Sequence, residues 1–163
     1  MKKPVISDNN NSQRNRTAVV ALSKADLSDV LALEKACFAR PWSMEQLQSS
    51  FSQGNILLLG VKSGERLHGY VSFQVFPPEM EILNIAISLD KRSQGLGRGL
   101  VRRALELGHV QGAKNCFLEV AGDNFSALNL YRCLGFAPIS TRRGYYQEGG
   151  RTMDAVIMMK ELH

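Results

Sequence analysis

Residues Arg92-Ser93-Gln94-Gly95-Leu96-Gly97-Arg98-Gly99-Leu100 hold the clearest chemistry in this chain. They separate an apolar, strand-like run (Ile82 to Leu89) from an amphipathic helical pattern (Leu100 to Val110). A glycine-rich turn that opens a helix leaves backbone N–H groups without partners, and the helix dipole adds positive charge there. Phosphate binds such a place readily. Gly95, Gly97 and Gly99 let the backbone approach a ligand with no Cβ in the way. Arg92, Arg98, Arg102 and Arg103 add positive charge beside the turn. The expected ligand is a pyrophosphate-bearing cofactor.

Two further residues carry acid–base potential. Glu119 is the one carboxylate in the apolar strand Lys114–Val120. Strand alternation puts it on the face of Phe117, opposite Leu118 and Val120. Desolvation there would strengthen it as a base. The plainer alternative is a glutamate at a sheet edge, paired with a nearby arginine. In the next helix, Asn124, Ala127, Leu128 and Tyr131 share a face. Tyr131 can donate a phenolic proton to a leaving group, or simply pack between helix and sheet. Tyr145 and Tyr146 are candidates for lining a substrate groove or for ordinary packing. His68, His109 and His163 have neither metal-ligand spacing nor a paired nucleophile and are expected at the surface. No metal site is expected.

Two other phosphate-binding patterns fit less well. A P-loop needs Gly-Lys-Ser/Thr after its spacer, and no Lys follows here. A dinucleotide fingerprint needs a third glycine where Leu100 stands. Glu119 does lie near the distance expected of a ribose-binding acid. The chain is nevertheless too short for that fold plus a substrate domain, and several strands precede the turn.

The 163 residues suit about one domain with a real core. No run is long enough to cross a bilayer, and polar residues follow Met1-Lys2-Lys3 where a secretory signal would be apolar. Three cysteines, Cys37, Cys116 and Cys133, lack framework spacing and read as reduced, mostly buried thiols of a cytoplasmic protein. A net charge of +5 and a pI near 9.3 would suit nucleic acid, an acidic partner or a polyanionic cofactor. The clustering of arginine at the glycine turn favours the cofactor.

Residues 1–15 are polar and Asn-rich and read as a disordered leader, with one domain over 16–163. A first strand is expected at 16–22, a helix from Asp26 to Phe38, and a capping box of Ser43 with Gln46 opening a helix to Phe51. Strands follow at Asn55–Lys62, Leu67–Phe76 and Met80–Leu89, then the helix to Val110. Next come strand Lys114–Val120, a helix capped by Asp123 or Asn124 and ending at Gly135, and closing strands at 136–146 and 151–160. This order is a mixed α/β (α+β) arrangement, neither a meander nor a doubly wound sheet.

Assembled, these residues resemble the GCN5-related N-acetyltransferases (GNAT), whose signature Arg/Gln-x-x-Gly-x-Gly/Ala is matched by Arg92 to Gly97. The likeness narrows to the ribosomal-protein alanine N-acetyltransferases, the RimI type. Pro41-Trp42-Ser43, Leu83-Asn84-Ile85-Ala86-Ile87, Leu118-Glu119-Val120, Asn124, Leu130-Tyr131, Leu134-Gly135-Phe136, Arg142 to Tyr146 and Asp154 to Met158 carry it. The resemblance implies the acyl-CoA N-acyltransferase fold, a central mixed twisted sheet flanked by helices. It implies acetyl-CoA in a cleft between two splayed strands. The pyrophosphate would lie on N–H groups of Gln94 to Gly99, with Arg92 and Ser93 adjoining. The pantetheine arm would pair with Ile85, Ala86 and Ile87, and Asn124 would sit near it. Glu119 becomes the general base and Tyr131 the general acid, next to the cofactor thiol. Trp42, Tyr145 and Tyr146 become substrate-contacting candidates.

The implied substrate is the N-terminal alanine amine of a ribosomal protein, small-subunit protein eighteen by analogy. A monomer is expected, with neither membrane nor direct nucleic-acid contact. The physics agrees: an N-terminal amine, with a pKa of about 7.7–8.0, needs only a modest base. One departure stands out. The family usually has Arg after Leu-Glu-Val, where this chain has Ala121-Gly122-Asp123, so a charge beside Glu119 is expected to be lost. Two rivals remain at this point: an acetyltransferase with broader peptide, lysine or small-amine substrates, and a non-catalytic acetyl-CoA-binding or ribosome-associated module.

Overall fold

Alternation in the strands and helical spacing between them sort the apolar residues onto two faces of one sheet. The computed structural model describes residues 17–54, 56–148 and 150–163. The expected leader lies outside the described residues, as do the first residues of two expected strands, Arg16 and Asn55. The elements are β1 (Ala18–Ala21), α1 (Leu27–Cys37), α2 (Met44–Ser52), β2 (Leu57–Ser63), β3 (Arg66–Phe76), β4 (Glu79–Ile87), α3 (Leu96–Val110), β5 (Asn115–Ala121), α4 (Phe125–Cys133), β6 (Ala137–Glu148) and β7 (Arg151–Glu161). The sheet order is β1-β2-β3-β4-β5-β7-β6.

Every neighbouring pair is antiparallel except β4 and β5. A parallel pair needs a crossover, and α3 supplies it. On one face α3 and α4 cover Leu59, Val61, Val71, Phe73, Met80, Ile82, Leu118 and Val120. On the other, α1 and α2 cover Leu58, Leu67, Tyr70 and Ala86. The fold is the mixed α+β arrangement expected from the sequence.

Local signals hold where local chemistry decides. Ser43 Oγ accepts from the Gln46 N–H at 3.1 Å, and Gln46 Oε1 accepts from the Ser43 N–H at 2.8 Å. Such caps are each worth about 1 kcal/mol. Of the two candidate caps on α4, Asn124 is the one used: its side chain accepts from the Ala127 N–H at 3.1 Å.

Three expectations are corrected. His68 is buried, not exposed, because β3 runs through the interior of the sheet with both faces covered. Its Nε2 lies 2.6 Å from Ser63 Oγ. Only Cys116 among the thiols is fully buried; Cys37 is half-buried and Cys133 exposed. Finally, the helix after the glycine turn starts at Leu96 rather than Leu100, so Gly97 and Gly99 lie within its first turn.

Candidate active site

The cleft follows from a fork in the sheet. β4 and β5 pair from Glu79↔Asn115 to Ile82↔Leu118 and then part. At the fork β4 bulges: Phe73 faces Ile82 while Ser72 faces Asn84, which leaves Leu83 unpaired. An extra residue in a strand exchanges its faces from there onward. Met80 and Ile82 point to the α3/α4 face before the bulge, whereas Ile85 and Ile87 do so after it. The exchange places Ala86 in the core under α1. Glu119 is the first β5 residue beyond the last β4 pair.

A continuous cleft opens there. Its first part, about 390 Å³, is lined by Ile85, Ala86, Ile87, Lys91, Arg92, Ser93, Gly95, Leu96, Gly97 and Arg98. Its second, about 750 Å³, is lined by Trp42, Asn84, Glu119, Tyr131, Tyr145 and Tyr146 among others. Asn124, Ala127, Ile85, Cys37 and Phe38 border both.

The first part fits a pyrophosphate and its arm. Ser93 (φ 59°) and Gly95 (φ 81°) are both left-handed, which turns the chain sharply into the N-terminus of α3. A non-glycine residue in that region costs about 1 kcal/mol or more, and such strain gathers at ligand clamps. The first N–H groups of α3, on Leu96, Gly97 and Arg98, have no acceptor within the helix. Gly99 differs, since its N–H donates to Gly95 O at 3.1 Å. That N–H is spent inside the helix, so the free cradle is shorter than the sequence suggests. Gln94 turns its side chain back onto Asp90 O at 3.2 Å. Arg92 donates through Nε to Ile87 O at 3.2 Å, which ties the turn to the end of β4. Of the other clustered arginines, Arg98 lines the cleft, whereas Arg103 pairs with Glu106 at 2.9 Å.

In the second part, Glu119 is held at both oxygens. Tyr146 donates its hydroxyl to Oε1 at 3.1 Å, and Arg142 Nη1 meets Oε2 at 3.2 Å. The charge expected to be missing beside Glu119 is therefore supplied from β6. Both readings of Glu119 hold at once: it pairs with an arginine, and it borders the cleft. Its strand is interior, with β7 on one side and the fork on the other.

A second bulge aims the tyrosines. β6 runs from Arg142 to Tyr146 while β7 runs only from Ala155 to Met153. Gly144 sits in this bulge at φ 64°, its N–H donating to Asp154 Oδ1 at 2.9 Å. Consecutive Tyr145 and Tyr146 can thus border one cavity, their rings edge to face at 5.1 Å. Arg142 also stacks over Tyr145, 5.3 Å from the ring centroid.

Tyr131 comes from α4, 5 % exposed, its ring edge-on to Phe136 at 5.7 Å. Burial pushes its phenol well above the ordinary range, and Cys116 adds to this. The hydroxyl therefore keeps its proton. Tyr146 is pushed up to about 12, first by desolvation and then by the adjacent Glu119 charge. Among the described residues, no cluster of His, Cys, Asp or Glu could hold a metal ion, and no helix is long and apolar enough to cross a membrane.

The sequence reading missed Glu34. It lies at the apolar-stripe position set by Leu27, Val30 and Leu31, and it is completely buried. A charged residue on such a stripe was the available signal.

Comparison with known proteins agrees with this geometry. The Acetyltransferase (GNAT) family matches residues 27–136. The chain is 30% identical over 140 residues to the [ribosomal protein bS18]-alanine N-acetyltransferase of Escherichia coli K12, covering 86% of this chain and 94% of that one. It is 32% identical over 147 residues to the N-alpha-acetyltransferase RimI of Mycobacterium tuberculosis, covering 86% and 90%. The crystal structure of the ribosomal-protein-S18-alanine N-acetyltransferase from Escherichia coli superposes with a TM-score of 0.84 at 28% identity, covering 90% of this chain and 94% of that one. A forked mixed sheet, a glycine turn at the fork and these relatives lead to one conclusion: the chain belongs to the GNAT family and is an acetyl-CoA-dependent N-acetyltransferase of RimI-like kind.

Proposed function

We propose that this enzyme acetylates the N-terminal alanine amine of a ribosomal protein, with small-subunit protein eighteen as its substrate. The observation that carries the reading is Glu119, fixed at the fork by Tyr146 and Arg142 in the same cavity as Tyr131. The name of the Escherichia coli relative supports the choice of substrate, and that of the Mycobacterium tuberculosis relative supports transfer to an N-terminal amine. A single domain over 16–163, a monomeric state and a cytoplasmic location belong to the same proposal.

Acetyl-CoA supplies an activated thioester acyl group when bound. The N–H groups of Leu96, Gly97 and Arg98, flanked by Ser93, Gly95 and Arg92, hold its phosphates. The β4 edge at Ile85 to Ile87 faces the fork and orients its arm, with Asn124 at the border of the two cavities. Glu119 takes a proton from the amine, directly or through water. Little basicity is needed, because a terminal amine near pH 8 is already partly neutral. Tyr131 holds at its Oη the proton that a thiolate leaving group requires. Trp42, Tyr145 and Tyr146 shape the cavity that receives the first residues of the peptide.

Choice of substrate is tested by offering purified small-subunit ribosomal proteins with unblocked N-termini, together with acetyl-CoA, and locating the acetyl group by mass spectrometry. Acetylation of the alanine terminus of protein eighteen ahead of the others supports the proposal. Equal modification of many termini, or of lysines, replaces it with the broader acetyltransferase.

A further inference from the structure

The chemistry above makes no use of the carboxylate of Glu34. Burying a charged group is costly unless donors meet it. Three do so, each from a different segment: the Tyr70 hydroxyl of β3, Asn84 Nδ2 of β4 at 3.1 Å, and the Trp42 backbone N–H at 2.9 Å. Filling the same volume with Leu would avoid the desolvation cost, so the donors themselves deserve an account.

Two of them belong to the acceptor-side cavity. Trp42 and Asn84 line it and not the cofactor-side part, as do Ala39 and Arg40 of the linker between α1 and α2, while Phe38 of that linker borders both. Asn84 is the first residue after the Leu83 bulge, and its exchanged face is what turns it toward α1. The same linker reaches β6, where Arg40 Nη2 donates to Gln147 O at 3.1 Å. The cofactor side is met from the end of α1 by Cys37, whose Sγ donates to Ile87 O at 3.6 Å and accepts from Arg92 Nη2 at 3.7 Å; among the described residues the glycine turn shares no hydrogen bond with Glu34 itself.

We infer that Glu34 is a positioning residue for the acceptor peptide: by gathering the Trp42 N–H and the Asn84 amide on one carboxylate, it fixes the α1–α2 linker against the forked strand and so sets the shape of the peptide-side cavity. The inference rests on the N-terminal peptide reading above. It demands an asymmetry that a merely structural role would not produce, in which peptide recognition suffers and cofactor binding does not.

The test is Glu34→Gln in the full chain. Gln keeps the size but replaces one acceptor oxygen with a donor that faces donors. With an Ala-starting peptide, KM rises about tenfold, while kcat and acetyl-CoA affinity by calorimetry stay within about twofold. Asn84→Ala, which removes one donor and keeps the carboxylate, raises peptide KM in the same direction and decides the matter if Glu34→Gln does not fold. Tyr70→Phe removes a donor that lines neither cavity and leaves KM near wild type. An unchanged peptide KM in a folded Glu34→Gln, or equal losses of peptide and acetyl-CoA affinity, overturns the inference. Wild-type enzyme that acetylates no Ala-starting peptide instead overturns the substrate reading, and this inference falls with it.

Discussion

Tyr146 reaches over β7 to donate a hydrogen bond to Glu119 at 3.1 Å, although the two residues stand on strands that do not pair. The β6 bulge around Gly144 makes the reach possible. Arg142, at the other end of the same bulge, takes the second oxygen of the carboxylate. One local irregularity thus orients the Glu119 carboxylate from both sides. Tyr146→Phe is expected to lower kcat about tenfold while leaving acetyl-CoA affinity intact, the mark of a contact that matters to the reaction rather than to cofactor binding. Steady-state kinetics with titration calorimetry checks this; a matching loss of cofactor affinity contradicts it.

Tyr146 also ties stability to alkaline pH. Its phenol is raised from 10.0 to about 12, so the folded chain keeps a proton that the unfolded chain has already lost. The resulting stability is complete below the unfolded value and drains away as pH climbs from 10.0 toward about 12. Denaturant unfolding on either side of that window should show wild type losing more stability than Tyr146→Phe. Parallel losses in the two proteins refute the link.

Gly69 faces Ile87 in the β3–β4 ladder. A Cβ there would lie 2.4 Å from the Ile87 side chain and 2.8 Å from the Ala86 carbonyl oxygen. The second contact is with backbone, which cannot turn aside. Gly69→Ala should destabilise the fold by about 1–3 kcal/mol. It should also weaken acetyl-CoA binding, because the displaced strand is the one proposed to orient the arm. Thermal unfolding together with calorimetry tests both effects; a Tm equal to wild type disproves the first.

The turn, the caps and the alternation around Glu119 were legible in the sequence because each is decided by neighbours within a few residues. Ser43 and Gln46 cap α2 as their spacing requires, and Leu118 and Val120 turn inward while Glu119 does not. What escaped depends on register. The Leu83 bulge reveals itself only when β3 and β4 are laid side by side. The pairing of Arg142 with Glu119 joins residues far apart in the chain and needs β7 placed between them. His68 looked like a surface residue because nothing local says that both faces of β3 are covered. Arg lost after Val120 and Arg gained from β6 are separate facts in the sequence and one fact in space.

Gly97 borders the cofactor-side cavity, and a Cβ there would already touch Ile85 and Leu130 at 3.5 Å. An indole at this position fills the space that the proposal gives to the arm and the pyrophosphate. Gly97→Trp is expected to abolish measurable acetyl-CoA binding with little change in Tm, since the cavity can take the ring without disturbing the core. Unchanged affinity by calorimetry refutes the placement of the cofactor.

We propose transfer to an N-terminal amine with Glu119 as the base and Tyr131 as the acid. Mass spectrometry tests it most directly, with acetyl-CoA offered beside two peptides: one beginning with free Ala, the other N-blocked and carrying an internal Lys. Wild type should acetylate the first alone, faster as pH rises through the amine range of about 7.7–8.0. Glu119→Gln and Tyr131→Phe should each slow it about a hundredfold or more while still binding acetyl-CoA. Acetylation of the lysine peptide alone contradicts transfer to the N-terminal amine, and full turnover in Glu119→Gln contradicts Glu119 as the base.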